Sequence, residues 1–191
     1  MNARSNHTKE LQRRIAVYDD PLAYRELFYL FHPPLLKFAK AFVRSPEQAE
    51  EIVSDVFIRI WERRPQLQEI GNLTVYLYVS TRNASLKYLM RHQKQASISI
   101  DELEMELESP HHDPEQLLLT AEMTRKIKEA IDHLPPRCKM VFKLIREDGL
   151  RYKEVAEILN ISIKTIDNQL AIALKKIGKA ININLRKIIC L

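Results

Sequence analysis

Glycine, cysteine and long apolar runs are all scarce in this chain: 191 residues hold three glycines, two cysteines and one tryptophan. Each scarcity excludes something. Tight hairpins draw on glycine for positive φ, so the many turns of an all-β fold are disfavoured. Cys138 and Cys190 cannot build a disulfide framework and neither lies in a CxxC pair, so reduced thiols of a cytoplasmic protein are expected. A bilayer-spanning helix needs about 20 consecutive apolar residues. The sequence offers no such run, and "MNARSNHTKELQRR" leads into no signal-peptide core. The expectation is a cytoplasmic protein without direct membrane insertion.

What is plentiful points to helices. Leu, Ile, Glu, Lys, Ala and Arg dominate, and the length suffices for two small helical domains. The predicted fold class is all-α. The charges, 30 basic against 25 acidic, are unevenly placed: Ser99 to Glu115 holds seven acids and no Lys or Arg. Everything outside it therefore has 30 basic against 18 acidic residues, a balance of +12. A basic body suits a polyanion, since each cation placed on a phosphate releases a condensed counterion.

Apolar periodicity divides the chain into 1–94, a helical domain; 95–116, an acidic linker; and 117–191, a second helical domain. From Leu22 to Ala41 the pattern surrounds "HPP", where two prolines predict the end of one helix and the start of another. Ser45, Pro46 and Glu47 form a start signal for a helix whose apolar stripe is Ala49, Ile52, Val53, Val56, Phe57 and Ile60. A loop, "PQLQEIGN", precedes one long helix from Leu73 to about Lys94. Beyond the linker come a helix from about Pro114 to His133, a break at "LPPR" and a helix to Asp148 stopped by Gly149.

"LRYKEVAEILNISIKTIDNQL" then joins two amphipathic patterns by three residues. Asn160 tolerates the left-handed backbone just past a helix end, and Ser162 is a natural N-cap for the next helix, with core positions Ile166, Leu170, Ala173 or Leu174, and Ile177. This is helix-turn-helix grammar. The second helix of that motif enters the major groove, so Lys164, Thr165, Asn168 and Gln169 are the candidate base-edge residues; Lys175, Lys176 and Lys179 are candidate phosphate contacts. Any two amphipathic helices with a short turn share this look, but eight Lys or Arg against three acids from Arg151 onward favour DNA.

Two faces of the first domain differ in character. Glu47, Glu51, Asp55, Ile58 and Glu62 recur at three- and four-residue steps, with Trp61 beside them. Carboxylates around exposed apolar groups repel DNA and suit a basic, partly apolar protein surface; an ordinary solvated face fits the same spacing. The long helix is the reverse, with no acid from Ile70 to Ile100 and with Arg82, Lys87, Arg91 and Lys94 present. Tyr76, Tyr78 and Tyr88 offer rings for unstacked bases or for the core, and Asn83 a bidentate group for a base edge.

"AEEIVSDVFIRIWERR", "YLYVSTRNASLKYLMR" and "LPPRCKMVFKLIREDGLRYKEVAEILNISIKTIDNQLAIALKKI", in that order around a linker, resemble the bacterial sigma-70 superfamily. The resemblance is to its extracytoplasmic-function group, with only regions two and four, over roughly residues 20–94 and 115–180. It implies a transcription initiation factor that binds core RNA polymerase and directs it to promoter DNA. It further implies that the helix with Glu51, Asp55, Phe57, Ile58 and Trp61 docks on the clamp helices of the largest polymerase subunit. The loop Gln66 to Asn72, with Tyr76, Arg82, Asn83, Lys87 and Arg91, would hold the opened −10 element, and the helix from Ile163 would read the −35 element. Members are commonly held inactive by an anti-sigma factor, often membrane-linked. The chain departs from the family pattern in having Ser54 where Gln often precedes the acidic residue, and Asp167, Asn168, Gln169 and Ile172 in its −35 helix.

Two rivals remain at this level. The helix-turn-helix also fits a stand-alone repressor or activator, though no dimer seam or ligand pocket is identifiable. "HHDPE" offers His111, His112, Asp113 and Glu115 as metal ligands, but no HExxH, P-loop or nucleophile motif accompanies them. No catalytic residue, cofactor or metal is expected.

Overall fold

The computed structural model describes residues 2–43, 45–92 and 118–180, and among them all regular structure is helical. The acidic segment 95–116 with its histidine cluster, Lys94 and Cys190 lie outside the described residues. The chain divides into two compact units, Met1–Ile98 and Ser99–Leu191. The first holds α1 (Asn2–Tyr18), α2 (Pro21–Lys40), α3 (Pro46–Glu62), a 3-10 turn (Arg64–Glu69) and α4 (Leu73–His92). The second holds α5 (Leu118–Asp132), α6 (Pro136–Arg146), α7 (Tyr152–Leu159) and α8 (Ile163–Ala180).

Two features depart from the sequence reading. The prolines of "HPP" do not split a helix pair, because α2 runs through Pro33 and Pro34 without a break. Two interior prolines cost about 6 kcal/mol by removing amide donors to the preceding turn. The stripe Ala23, Leu27, Phe31, Leu35, Phe38 and Ala39 is buried on both sides of them. Four large side chains at about 1.5–3 kcal/mol each offset that loss. The second departure is α1, which periodicity did not reveal because Thr8 and Gln12 share its buried stripe with Leu11, Ile15 and Ala16. The loop before α4 also contains the 3-10 turn, anchored by buried Leu67.

Local chemistry sets the corners. Asp20 caps α2 by accepting from the amides of Leu22 and Ala23 and is clasped by Arg14 of α1, which with those amides holds its carboxyl below the usual range. Ser45 caps α3. Asn72 accepts from Val75 at the start of α4. Between α1 and α2, Asp19 adopts positive φ and pairs with Arg64, which stacks over Trp61 and donates to its carbonyl.

The core of the first unit is aromatic where α2 meets α3. Phe57 lies 4.8 Å from Phe28 and edge-on to Tyr24, whose hydroxyl donates to the Phe57 carbonyl at 2.9 Å. Phe38 meets Tyr78 at 5.2 Å. Inside α4, Thr81 and Ser85 are fully buried and donate to carbonyls one turn back, so neither hydroxyl is left unsatisfied.

In the second unit, Leu134, Cys138, Ala173 and Ile177 join α6 to α8, and buried Lys139 reaches the Asp132 carboxylate at 3.0 Å. The three-residue turn has the predicted mechanism. Asn160 sits at φ 55°, ψ 49°. Its amide donates to Glu157 and that of Ile161 to Ala156, the double closure of a Schellman motif. Ser162 then accepts from the Thr165 amide at 3.0 Å, opening α8. At the start of α7 the Glu154 carboxylate caps the Arg151 amide.

Two stability outcomes follow from these contacts. Phe57→Ala removes a buried ring and is expected to cost about 3–5 kcal/mol, read in urea by the fluorescence of Trp61, which reports on the first unit alone. Asn160→Val places a β-branched residue at positive φ and is expected to cost about 1–2 kcal/mol, whereas Asn160→Gly stays within about 0.5 kcal/mol or gains. Both appear in the helical dichroism melt while the Trp61 transition stays in place.

Candidate nucleic-acid and protein-docking surfaces

Helix α3 spends one face on the core and shows the other to solvent. Glu51, Asp55 and Ile58 are exposed in a line, with Glu47 and Glu62 at its ends. Five carboxylates stand on this helix against one arginine, Arg59. Arg59 comes to 3.8 Å of Asp55 with both side chains more than half exposed, a pair too solvated to occupy the carboxylate. Trp61 is half-buried between Tyr24 at 4.9 Å and the Arg64 guanidinium at 4.7 Å, so one edge of its ring remains accessible.

Phe57 requires a correction. At 2% exposure it is a core residue, because the same stripe that buries Val53, Val56 and Ile60 buries it, and it reaches the surface only at the floor of the groove beside α3. Its main role is to set the helix. In its place the structure shows residues the sequence reading missed. Tyr24, Arg25, Phe28 and Tyr29 of α2 join Ser54, Phe57 and Ile58 around a shallow groove of about 300 Å³. Tyr29 and Ile58 stand 70% and 53% exposed at this groove. The signal was present in "AYRELFY", where aromatic residues outnumber what one buried stripe accommodates.

Helix α4 carries three cations and no acid. Tyr76, Asn83, Lys87, Met90 and Arg91 are exposed at spacings that keep them on one side, opposite Leu77, Thr81, Ser85 and Leu89. Tyr78 is not on it: its ring is fully buried against Phe38, which removes it as a stacking platform. Tyr88 is half-buried and packs on His92 at 4.3 Å. Arg82 is half-buried as well, its Nε without a partner among the described residues, and burial pushes its pKa below the ordinary arginine value.

On α8, Lys164, Asn168, Lys175 and Lys176 are exposed, while Ile166, Leu170, Ala173 and Ile177 are buried and Leu174 is intermediate. Two candidate base readers are otherwise engaged. The Thr165 hydroxyl lies 2.8 Å from Ser162 Oγ and belongs to the cap. Gln169 is half-buried, and its carboxamide oxygen accepts from the Cys138 thiol at 2.9 Å. Burial pushes the pKa of that thiol up, against the nearby Lys176 charge, so it stays protonated and able to donate. Asn168 is thus the fully outward carboxamide of the helix. Among the described residues no helix is long and apolar enough to cross a membrane, and no group of three His, Cys, Asp or Glu gathers as metal ligands.

Comparison with known proteins bears on both units. The family description "Sigma-70 region 2" matches residues 27–95, and "Sigma-70, region 4" matches residues 124–177. The chain is similar to the RNA polymerase sigma-H factor of Pseudomonas aeruginosa, 20% identical over 176 residues covering 88% of this chain and 91% of that one. It is 23% identical to the ECF RNA polymerase sigma-E factor of Escherichia coli K12 over 79% of this chain and 82% of the relative. A probable RNA polymerase sigma factor, RfaY, of Xanthomonas campestris is 26% identical over 70% of this chain, which spans only 34% of that longer protein. In fold it is similar to CnrH, solved in complex with the cytosolic domain of CnrY, with a TM-score of 0.55, 16% identity, and coverage of 92% of this chain and 97% of that one.

A stand-alone helix-turn-helix regulator does not account for the region 2 match. With regions 2 and 4 present in order, the chain belongs to the extracytoplasmic-function group of the sigma-70 family, transcription initiation factors that direct RNA polymerase to promoters.

Proposed function

We propose a division of labour among the surfaces. The outer face of α3, through Glu51, Asp55, Ile58 and Trp61, and the groove beside it dock on the clamp helices of core RNA polymerase. The α4 face of Tyr76, Asn83, Lys87 and Arg91, with the adjoining loop Gln66 to Asn72, holds the opened −10 element. Helix α8 reads the −35 element as duplex, with Asn168 at base edges and Lys164, Lys175 and Lys176 on phosphates. The acidic segment 95–116 connects the two activities, either as a solvated tether or as a nucleic-acid mimic in a basic channel.

The segregation of charge between adjacent helices carries this reading. Five carboxylates against one arginine on α3 repel phosphates and complement a basic protein; three cations without an acid on α4 do the reverse. An exposed tyrosine and an exposed Met90 among those cations add flat and polarisable surface for unstacked bases. A cytoplasmic site of action follows from the role. An anti-sigma partner, membrane-tethered as is common in this group, is a further part of the proposal; the similar CnrH was solved in complex with the cytosolic domain of CnrY.

Run-off transcription with core polymerase tests the docking assignment. Asp55→Ala is expected to lower polymerase affinity about 5- to 20-fold, on the order of 1–2 kcal/mol. The unfolding curve should stay within about 0.5 kcal/mol of wild type, as for an exposed site. Unchanged polymerase binding overturns the assignment of α3. For α8, Asn168→Ala is expected to cost about 1–3 kcal/mol at one base pair of the −35 element and to relax preference there. Lys175→Ala is expected to weaken all sequences alike and reduce the slope of log K against log salt by about 1. Promoter-variant binding by the holoenzyme at several salt concentrations separates the two.

A further inference from the structure

Helix α1 lies outside the residues matched by the region 2 description, which begin at 27. It nevertheless packs along the turn that leads into α4. Its most informative residue is Gln12, a carboxamide only 8% exposed in a stripe shared with Thr8, Leu11, Ile15 and Ala16. Gln12 Nε2 donates to the Leu67 carbonyl at 2.5 Å and to the Ile70 carbonyl at 2.7 Å. The two hydrogens of the amide are thereby both used, on carbonyls that bracket Gln68 and Glu69.

A hydrophobic residue at this position would bury more apolar surface at no polar cost, so the glutamine needs a reason. A buried backbone carbonyl left without a donor costs about 1–3 kcal/mol, and the 3-10 turn closes on one bond, from the Ile70 amide to the Leu67 carbonyl at 3.1 Å. Gln12 adds a second donor to the Leu67 carbonyl and supplies one to that of Ile70, so that its carboxamide bridges the two ends of the segment. Leu67 is held in the core from within the turn. From the other side Asp19, at the end of α1, pairs with Arg64 at the head of the turn. Gln66, Gln68, Glu69 and Asn72 are left exposed on a backbone clamped at both ends.

We propose that Gln12 is a positioning residue for promoter recognition, its carboxamide fixing the Leu67–Ile70 backbone so that the loop Gln66 to Asn72 meets the opened −10 strand in one conformation. This rests on the assignment of that loop to the −10 element. It extends the determinants of −10 selectivity to a helix outside the matched region. The reason is physical: a loop that must be ordered on binding loses selectivity to the cost of ordering, whereas one held beforehand does not.

The test uses the full chain with core RNA polymerase and a promoter library randomised across the −10 element, from which the sequences opened by wild type are selected. The readout is the ratio between the best and next-best base at the most strongly read −10 position. Gln12→Leu keeps the packing and removes the donors; Gln12→Glu keeps the size and turns an acceptor on the two carbonyls, and serves if the first variant fails to fold. In either, the ratio is expected to fall about tenfold, equivalent to about 1.4 kcal/mol, with polymerase binding retained. A uniform loss of transcription at an unchanged ratio marks a merely structural glutamine and overturns the proposal. An unchanged ratio in the Gln12 variants, alongside a reduced one in Gln66→Ala or Gln68→Ala, overturns it while leaving the loop assignment standing. If the loop variants also leave the ratio untouched, the assignment of the loop fails and the proposal with it.

Discussion

A helix has one circumference, and every residue given to the core is lost to the surface. In the first unit the aromatic seam between α2 and α3 settles that division. Phe57, closed in by Phe28 and Tyr24, fixes the rotation of α3 about its axis. Once that rotation is set, Glu51, Asp55 and Ile58 have no choice but to face out. The same seam leaves Tyr29 and one edge of Trp61 at the surface, so an apolar groove lies beside an acidic ridge. That combination suits association with a basic protein, where apolar contacts supply affinity and charge supplies orientation.

The second unit solves the same problem with less material. Its two helices α7 and α8 are turned by three residues, and the geometry is stabilised by two backbone closures around Asn160 and by the Ser162 cap. These are local interactions, each worth about a kcal/mol. They aim α8, but its depth is set by the packing of its own Ala173 and Ile177 on Leu134 and Cys138. The price is visible at Gln169, whose carboxamide is drawn to the Cys138 thiol and away from the outer surface. A family resemblance carries the helix across but not this diversion, which lowers the number of free base readers at its N-terminal turns.

The polar groups of the core are there because each finds a partner. Gln12, Thr81, Ser85 and Lys139 are all buried and all have partners. Thr81 and Ser85 turn their hydroxyls back onto carbonyls of their own helix, Gln12 bonds the carbonyls of Leu67 and Ile70, and Lys139 ties α6 to the end of α5. Arg82 differs, with a buried Nε lacking a partner among the described residues at the border of the cationic face of α4.

By itself the amino-acid order determined the helical class, the bounds of α3, α4, α7 and α8 to within a few residues, and the turn at Asn160. These rest on periodicity, capping and backbone preference, which act within a few residues along the chain. It also carried the family likeness, because three motifs in order are a property of the string. Tertiary structure decided what neighbours across space decide. Pro33 and Pro34 stay inside one helix because burial on both sides outweighs the lost hydrogen bonds. Helix α1 forms although two of the five residues in its buried stripe are polar, because Gln12 finds its acceptors 55 and 58 residues away. Phe57 and Tyr78 belong to the core and Tyr29 to the surface, a sorting that composition cannot make, since an aromatic ring is equally at home in either place until its neighbours are known.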